Sequence, residues 1–252
     1  MNTTPFLIVG GDSRLALGFE KIYPHLVTRL PKNECNILNE KSIRDALKKH
    51  QGKYIINCAA ITDMNYCEKN PKECFTINIV GPYLLNAICK EFGRKLIHIS
   101  SDYASVDSNF YGLSKSISEK IIDKNMLVIR TNFYDENTYI IRELLKNRKI
   151  EAYNNVFFNP ISINQLIKEI VAMKNKHGLV NIFSEKKISF TTFSIAFCAI
   201  FNKEKNLIKK VHYKNNNTHI YRPLSSYVKP DITIKIKDDL LSFKNYLHYE
   251  NN

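Results

Sequence analysis

The sequence predicts an α/β fold, a doubly wound parallel sheet with a smaller C-terminal lobe. Short apolar runs, such as those at residues 6–9 and 54–57, are typical of parallel strands buried on both faces. Segments of helical periodicity separate these runs, so strand and helix alternate five times with short links. A turn containing Gly10 and Gly11 follows the first run, at the carboxyl end of a strand, where sheets of this kind bind their ligands.

The elements follow in a regular order over the first 130 residues. A short apolar run indicates each strand, and apolar residues at helical spacing indicate each helix. We predict strands at Phe6–Val9, His25–Arg29, Tyr54–Asn57, Lys95–Ser100 and Met126–Arg130, a helix opening at Leu15, and helices over Lys41–His50, Pro71–Glu91 and the segment that bears Tyr111 and Lys115.

Beyond about residue 150 this alternation weakens. We predict helices at Ile163–Lys174 and Thr191–Phe201, with short strands at Val180–Phe183 and Leu207–Tyr213. The prediction therefore divides the chain into a Rossmann-like nucleotide-binding domain over residues 1–150 and a smaller substrate-binding lobe over residues 151–252, with some of the later chain returning to the first domain.

The composition is that of a globular protein with an excess of basic residues. Hydrophobic residues make up 44% of the 252 residues, and the formal net charge is +13. The basic residues are scattered, so we expect no nucleic-acid partner, although a positive field favours a polyanion such as a nucleotide diphosphate. No apolar run has the length of a membrane span and no signal-peptide pattern precedes the first strand, so we expect no membrane association. Six cysteines without a C-x-x-C pair are typical of a reduced, cytoplasmic protein.

The segment that predicts chemistry begins at the end of the fourth strand. Ser101 follows that strand, and Tyr111 and Lys115 share one face of the next helix at i, i+4 spacing. A hydroxyl, a phenol and an ammonium brought together there can protonate a carbonyl oxygen while a nicotinamide delivers hydride. We expect the Lys115 charge to lower the Tyr111 pKa. The other interpretation of these residues is a helix N-terminus with an exposed Tyr and Lys.

The glycine turn and the second strand bear on the cofactor. A dinucleotide fold of this kind has G-x-x-G-x-x-G after its first strand, and the chain has Gly10, Ser13 and Ala16 at those positions. We expect Ser13 to be strained if its φ must be positive, and Arg14 could pair with a phosphate. Arg29 ends the second strand without an acidic neighbour, which favours NADPH over NADH. An ordinary turn and a surface Arg are the alternatives.

Six ordered segments resemble one known family. They are Asn57-Cys58-Ala59-Ala60-Ile61-Thr62 with Glu68, Pro71 and Asn78; Ser100-Ser101-Asp102-Tyr103; Tyr111-Gly112-x-Ser114-Lys115 with Glu119; Arg130-Thr131-Asn132-Phe133; Asn159-Pro160 with Leu166; and Arg222-Pro223-x-x-Ser226. Together they resemble the dTDP-4-dehydrorhamnose reductase family of extended short-chain dehydrogenases, and the resemblance spans most of the chain.

The resemblance implies an NADPH-dependent reductase of a nucleotide-linked 4-keto-6-deoxy sugar, in rhamnose-type deoxysugar biosynthesis. It implies that Tyr111 protonates the C4 oxygen, Ser101 holds that oxygen and Lys115 orients the nicotinamide ribose. The expected cofactor contacts are Gly10, Ser13, Arg14, Leu15, Arg29, Asn36, Ala59, Ala60, Thr62, Tyr111 and Lys115. The expected substrate contacts are Ser100, Asp102, Asn132, Asn159 and Arg222. We expect no metal, and a homodimer is compatible with this class.

Two features keep other activities open: the glycine pattern is incomplete at Ser13 and Ala16, and the connection between Ser101 and Tyr111 is short. Only nine residues separate Ser101 from Tyr111, a shorter connection than the family has, so we expect a more open pocket. An extended chain covers roughly 3.3 Å per residue, so the connection can still join the strand to the helix. The alternative function is a non-catalytic NADP-binding regulatory or scaffold subunit, since the β subunit of methionine adenosyltransferase is similar to this family. An epimerase would need a further acid–base residue near the sugar, often a Cys just after the catalytic Ser, and the chain has Asp102 and Tyr103 there and no such cysteine.

Overall fold

The structure is a computed structural model that describes residues 5–106, 109–214 and 223–248. Its strands are β1 Phe6–Val9, β2 Val27–Leu30, β3 Tyr54–Asn57, β4 Lys95–Ser101, β5 Leu127–Thr131, β6 Phe133–Tyr134, β7 Ile150–Tyr153, β8 Phe157–Phe158, β9 Ile161–Ser162, β10 Gly178–Ser184, β11 Ile188–Ser189, β12 Ile208–Val211 and β13 Ile232–Ile234. Its helices are α1 Arg14–Ile22, α2 Glu40–Lys49, α3 Met64–Lys69, α4 Pro71–Phe75, α5 Gly81–Glu91, α6 Phe110–Ile121, α7 Tyr139–Leu145, α8 Ile163–Met173, α9 Phe190–Ile200 and α10 Ile236–His248. Across these ranges we find no helix with the length and apolar character needed to cross a membrane.

The central sheet has seven strands in the order β13-β10-β5-β4-β3-β1-β2. Strands β1 and β2 pair in parallel with Phe6 opposite Val27, and β1 and β3 pair with Phe6 opposite Tyr54. Every residue of β1 and β3 is buried, because strands of this kind are covered on both faces. The prediction of a doubly wound parallel sheet is confirmed, and the strand predicted at Tyr54–Asn57 has the same bounds in the structure.

The chain forms two compact units. The first contains residues 1–130 and 170–180, and the second contains residues 131–169 and 181–252. The first unit holds most of the sheet and the core beneath it, which includes Leu7, Val9, Ile55 and Leu96, each with no exposed surface. Burial of such side chains contributes about 1.5–3 kcal/mol each, so these strands supply much of the unit's stability.

Short connections link strands of the first unit to the helices that follow them, and capping side chains fix where α1 and α6 begin. Ser13 accepts a hydrogen bond from the Ala16 N–H at 3.2 Å at the start of α1. Asn109 does the same for the Gly112 N–H at 2.8 Å at the start of α6. Each such cap stabilises its helix by about 1 kcal/mol, and both caps lie at the end of the sheet where the predicted site residues lie.

The segment predicted as one helix over residues 71–91 contains a π-helical turn at Thr76–Val80, between α4 and α5. The turn carries the buried Asn78, whose Oδ1 accepts from the Ile61 N–H at 2.8 Å and whose Nδ2 donates to the Ile61 carbonyl at 2.9 Å. The same Nδ2 lies 3.0 Å from the Ser114 hydroxyl. Asn78 therefore ties the loop after β3 to helix α6. Sequence periodicity does not distinguish this turn from an α-helix because both present an apolar face.

The second unit is held by a buried polar cluster and by aromatic packing. The Tyr134 hydroxyl and the Ser162 N–H each donate a hydrogen bond of 2.8 Å to the Asp239 Oδ2. The Ser162 hydroxyl donates to the Asp239 Oδ1. The Tyr134 ring packs edge-on against Phe193 and Phe243 with centroid distances of 5.1 Å. Burial raises the pKa of Asp239 to about 6, against the hydrogen bonds from Ser162 and Tyr134.

Candidate active site

The turn after β1 approaches neighbouring strand ends more closely than a side chain would allow. Gly10 has a φ of +79°, and a Cβ built there would lie 2.6 Å from the Ala59 backbone nitrogen. A Cβ on Gly11 would lie 2.8 Å from the Leu30 backbone, to whose carbonyl the Gly11 N–H donates at 3.0 Å. Both positions therefore require glycine. The G-x-x-G-x-x-G pattern accounts for Gly10 only, and it gave no reason to single out Gly11.

The other positions of that pattern are accommodated without strain. Ser13 has a φ of −70°, so the positive φ that would have strained it does not occur. Ala16 has no exposed surface and packs beneath the turn. A capping serine and a small buried alanine thus replace the later glycines because this helix needs a cap and close packing here.

A cavity of about 330 Å³ opens beside this turn, within the size range of small-molecule sites. Five of its lining residues were predicted as cofactor contacts: Gly10, Ser13, Asn36, Ala59 and Ala60. The sequence reasoning missed the others: Asp12, Lys32, Cys35, Ile37, Leu38, Cys58 and Ile77. Lys32 could have been predicted as a lining residue from its position just after the second strand. The predicted contacts Arg14, Leu15, Arg29, Thr62, Tyr111 and Lys115 are not part of this lining; Arg14 and Thr62 are exposed, and Leu15 is buried in α1.

Arg29 is bonded within the protein. Its guanidinium donates to the Gly11 carbonyl at 2.7 Å and pairs with Glu20 at 2.9 Å and with Asp12 at 3.9 Å. Arg29 thus braces the glycine turn from the second strand. Its contact with a cofactor stays a prediction. Lys32 is exposed at the cavity and forms no ion pair within the described part of the chain.

Two of the three predicted catalytic side chains, Ser101 and Tyr111, lie together at the end of β4, and Lys115 follows Tyr111 one turn along α6. The Ser101 hydroxyl lies within hydrogen-bond reach of both the Tyr111 phenol and the Asp102 carboxylate, the latter at 3.0 Å, and its single proton is donated to one of them at a time. Lys115 is buried, with only 3% of its surface exposed, and its Nζ donates to the Ile99 carbonyl at 2.7 Å. The short connection is compatible with this arrangement because a 3₁₀ turn at Asp102–Ser105 packs directly against the start of α6.

The pKa directions correct one expectation. Burial raises the pKa of Tyr111, the nearby Asp102 carboxylate raises it further, and only the hydrogen bond with Ser101 lowers it. The expectation that Lys115 lowers this pKa was wrong, because burial is the largest cause of the shift and Lys115 is not among the described residues that act on the phenol. Burial also lowers the pKa of Lys115 to about 8, although the Glu119 carboxylate opposes the shift. At neutral pH the phenol therefore holds its proton and most Lys115 side chains are charged.

Lys115 also connects this group to the cavity. Burial raises the pKa of Cys58, a residue of the cavity wall, to about 12, while a hydrogen bond with Ser13 and the charge of Lys115 oppose that shift. The Lys115 ammonium thus acts electrostatically on the wall of the cavity.

Two predicted substrate contacts have partners inside the first unit. Ser100 donates to Glu119 at 2.6 Å, and the Arg130 guanidinium binds both oxygens of the same carboxylate, at 2.8 Å and 2.6 Å. Asp102 has 1% of its surface exposed and accepts from the Tyr103 N–H at 3.0 Å. Their contact with a substrate stays a prediction.

The remaining predicted substrate contacts belong to the second unit. Asn159 is fully buried, and its Nδ2 donates to the carbonyls of Val228 at 2.8 Å and Ser184 at 3.2 Å. The carbonyl of the half-buried Asn132 accepts from the Ile161 N–H at 3.1 Å. Arg222 lies outside the described residues. Asn159 therefore has a demonstrated structural role, and the three substrate contacts stay predictions.

The site combines a Tyr and a Lys one helical turn apart with a serine at a strand end and a glycine turn after the first strand. These features are typical of an extended short-chain dehydrogenase/reductase. The chain belongs to the RmlD substrate-binding domain family, whose model matches residues 6–244. The family and the fold predicted from the sequence are thereby confirmed.

Named relatives agree with this assignment. The chain is 28% identical over 150 residues to the spore coat polysaccharide biosynthesis protein SpsK of Bacillus subtilis, covering 52% of this chain and 53% of that protein. It is 32% identical over 113 residues to the dTDP-4-dehydrorhamnose reductase of Mycolicibacterium smegmatis, covering 39% of this chain and 34% of that protein. The chain thus spans about half, or less, of the length of these relatives.

Among solved structures, the fold is similar to that of dTDP-4-dehydrorhamnose reductase from Bacillus anthracis, which was crystallised in complex with NADP. The TM-score is 0.86 at 20% sequence identity, over 97% of this chain and 99% of that chain. At this identity the likeness establishes the shared fold.

Proposed function

We propose that this protein uses NADPH to reduce the 4-keto group of a nucleotide-linked 4-keto-6-deoxy sugar, in rhamnose-type deoxysugar biosynthesis. The observation that carries the proposal is the hydrogen bond between Ser101 and Tyr111, with the buried Lys115 one helical turn along α6. The names of the relatives support the substrate class, since two of them are dTDP-4-dehydrorhamnose reductases. The net charge of +13 suits an anionic nucleotide diphosphate.

The cavity has the features that a dinucleotide needs. Its glycine turn gives close access to main-chain N–H groups at the start of α1, which favour a pyrophosphate. Ile37, Leu38 and Ile77 supply apolar walls for an adenine ring, and Lys32 supplies a cation for a 2′-phosphate. When NADPH is bound, it supplies the hydride that is added to C4 of the sugar.

The protein's part in the reaction is to supply a proton and to stabilise charge. As C4 accepts hydride, negative charge develops on its oxygen, and the Tyr111 phenol donates its proton to that oxygen. The Ser101 hydroxyl donates a hydrogen bond to the same oxygen. The Lys115 ammonium stabilises the phenolate that remains until solvent returns a proton. The raised pKa of Tyr111 keeps the phenol protonated until the ketone needs it.

Replacement of the phenol tests the role of Tyr111. Tyr111→Phe removes the proton donor but keeps the ring, so turnover should fall about a hundredfold or more while the NADPH dissociation constant changes little. Turnover is followed by the loss of NADPH absorbance with dTDP-4-keto-6-deoxy sugar as substrate, and binding by NADPH fluorescence. Tyr103→Phe is the matched control, because its ring lies 6.1 Å from that of Tyr111, and it should retain activity within tenfold of the unmodified protein.

Assays of the wild-type protein distinguish the proposed reductase from the alternative, a non-catalytic NADP-binding subunit. A reductase should bind NADPH and consume it only when the keto sugar is present. Tight NADPH binding without turnover of any nucleotide-linked keto sugar would instead identify a regulatory or scaffold subunit. Full activity of Tyr111→Phe would show that another group supplies the proton.

A further inference from the structure

The first unit contains a buried histidine that the proposed reaction does not use. His98 lies in the middle of β4 and has no exposed surface. Its Nδ1 lies 3.1 Å from the Asn57 amide nitrogen, and its Nε2 lies 3.1 Å from the Ser118 hydroxyl. Asn57 ends β3 beside the cavity wall, and Ser118 lies one helical turn after Lys115 on α6.

The direction of the hydrogen bond on the Asn57 side is fixed by the backbone. The Ala59 N–H can only donate, and its acceptor at 3.1 Å is the Asn57 Oδ1. The Asn57 Nδ2 therefore faces His98 and donates to the ring. It follows that the Nδ1 of His98 is an acceptor and carries no proton.

The direction on the other side is fixed in the same way. Ser118 has one hydroxyl proton, and it is donated to the Lys115 carbonyl at 2.7 Å. Towards His98 the Ser118 oxygen can only accept, so the Nε2 of His98 carries the ring proton. A neutral ring satisfies both contacts, and burial together with the Lys115 charge holds the pKa of His98 well below its usual range.

We infer that His98, as the neutral tautomer protonated on Nε2, is a positioning residue for Lys115. Four hydrogen bonds run in one direction from the Ala59 N–H through Asn57, His98 and Ser118 to the Lys115 carbonyl. Strand β4 thus holds Lys115 at two points, since the neighbouring Ile99 carbonyl accepts from its Nζ at 2.7 Å. The catalytic consequence of this inference rests on the proposed reductase function.

The tautomer is tested by NMR on the full chain. Long-range ¹H–¹⁵N spectra of ¹⁵N-histidine-labelled protein at pH 7 should show one ring with a protonated Nε2 and an unprotonated Nδ1, and the signal should disappear in His98→Gln. The chain has seven histidines, so this variant makes the assignment. A ring protonated on Nδ1, or on both nitrogens, would overturn the inference.

The positioning role is tested by cutting the chain of hydrogen bonds at Ser118. Ser118→Ala should raise the NADPH dissociation constant and lower kcat, each about tenfold, while the KM for the sugar changes little. Ser116→Ala, a buried serine on the same helix outside this chain of bonds, should leave all three within twofold. His98→Gln, which keeps one acceptor and one donor, should recover part of the activity that His98→Leu loses.

One readout does not depend on the reductase function. The Lys115 ε-methylene NMR signal should shift in Ser118→Ala and His98→Leu, and it should stay in place in Ser116→Ala. If the wild-type protein does not bind NADPH, the proposed function fails, and this signal together with the His98 tautomer still decides the inference. Equal spectra for Ser118→Ala and Ser116→Ala would refute a positioning role.

Discussion

Replacing Gly10 by alanine should destabilise the first unit and distort the cavity. The new Cβ would lie 2.6 Å from the Ala59 nitrogen and 2.9 Å from the Cys58 carbonyl carbon, both of them backbone atoms. No rotation of a side chain can relieve these contacts, so the strand ends must separate. The φ of +79° adds strain because a residue with a Cβ avoids this region.

The expected loss follows from these two effects. Backbone strain of this kind costs about 1–3 kcal/mol, and forcing a methyl group into packed surroundings costs about 1–3 kcal/mol more. The free energy of unfolding should therefore fall by about 2–6 kcal/mol. For a chain of this size each kcal/mol lowers Tm by about 2–4 °C. Urea and thermal unfolding, followed by circular dichroism, measure both quantities.

Gly93→Ala is the matched control for the steric contribution. Gly93 also has a positive φ, +61°, but a Cβ there would meet no atom within 4 Å. This variant should lose about 1–2 kcal/mol from backbone strain alone. It should bind NADPH like the wild type, while folded Gly10→Ala should bind it more weakly because the turn lines the cavity. If the two variants lose equal stability, the argument from close approach at Ala59 is incorrect.

Two further predictions concern charge. Lys32→Ala should weaken NADPH binding about fivefold and leave NADH binding nearly unchanged. Arg29→Ala should weaken the binding of both cofactors, because Arg29 also donates to the Gly11 carbonyl in the glycine turn. Fluorescence titration with each cofactor measures these affinities, and an equal loss of affinity for both cofactors in Lys32→Ala would show that Lys32 does not contact the 2′-phosphate. The pKa of Asp239 is about 6 in the folded protein against an ordinary value of 3.8. The protonated carboxyl therefore contributes its full stability below pH 3.8, and this contribution is lost as the pH rises through about 6. When the pH is lowered from 7 to 4.5, the free energy of unfolding of the wild type should increase by about 2 kcal/mol relative to that of Asp239→Asn. Urea titration at each pH measures this difference, and a difference that does not change with pH would contradict the raised pKa.

Local patterns accounted for most of the first unit. The strands β1 and β3 follow from short apolar runs, because a strand buried on both faces is apolar along most of its length. Helix ends were less accurate by a residue or so, as at α8, predicted over Ile163–Lys174 and observed over Ile163–Met173. The π-helical turn at Thr76–Val80 was not predicted, since it forms around bonds that Asn78 makes with residues distant in sequence.

The candidate site was predicted in part for the same reason. The spacing of Tyr111 and Lys115 placed both on one helical face, and that inference needs only local geometry. The lining of the cavity by Lys32 and Cys58 was missed, because these residues meet across separate strand ends. Arg29 was predicted to be free for a phosphate, and its bonds to Glu20 and to the Gly11 carbonyl could not be deduced from its position alone.

The sequence by itself determined the alternation of strand and helix, the glycine at position 10, and which side chains could perform acid–base chemistry. These properties depend on residues a few positions apart or on the chemistry of one residue. Only the tertiary structure decided the protonation of these groups. Burial raised the pKa of Tyr111 and lowered that of Lys115, and two fixed neighbours set the tautomer of His98. The physical reason is that desolvation and the direction of a hydrogen bond depend on neighbours brought together from β3, β4 and α6, which no local pattern records.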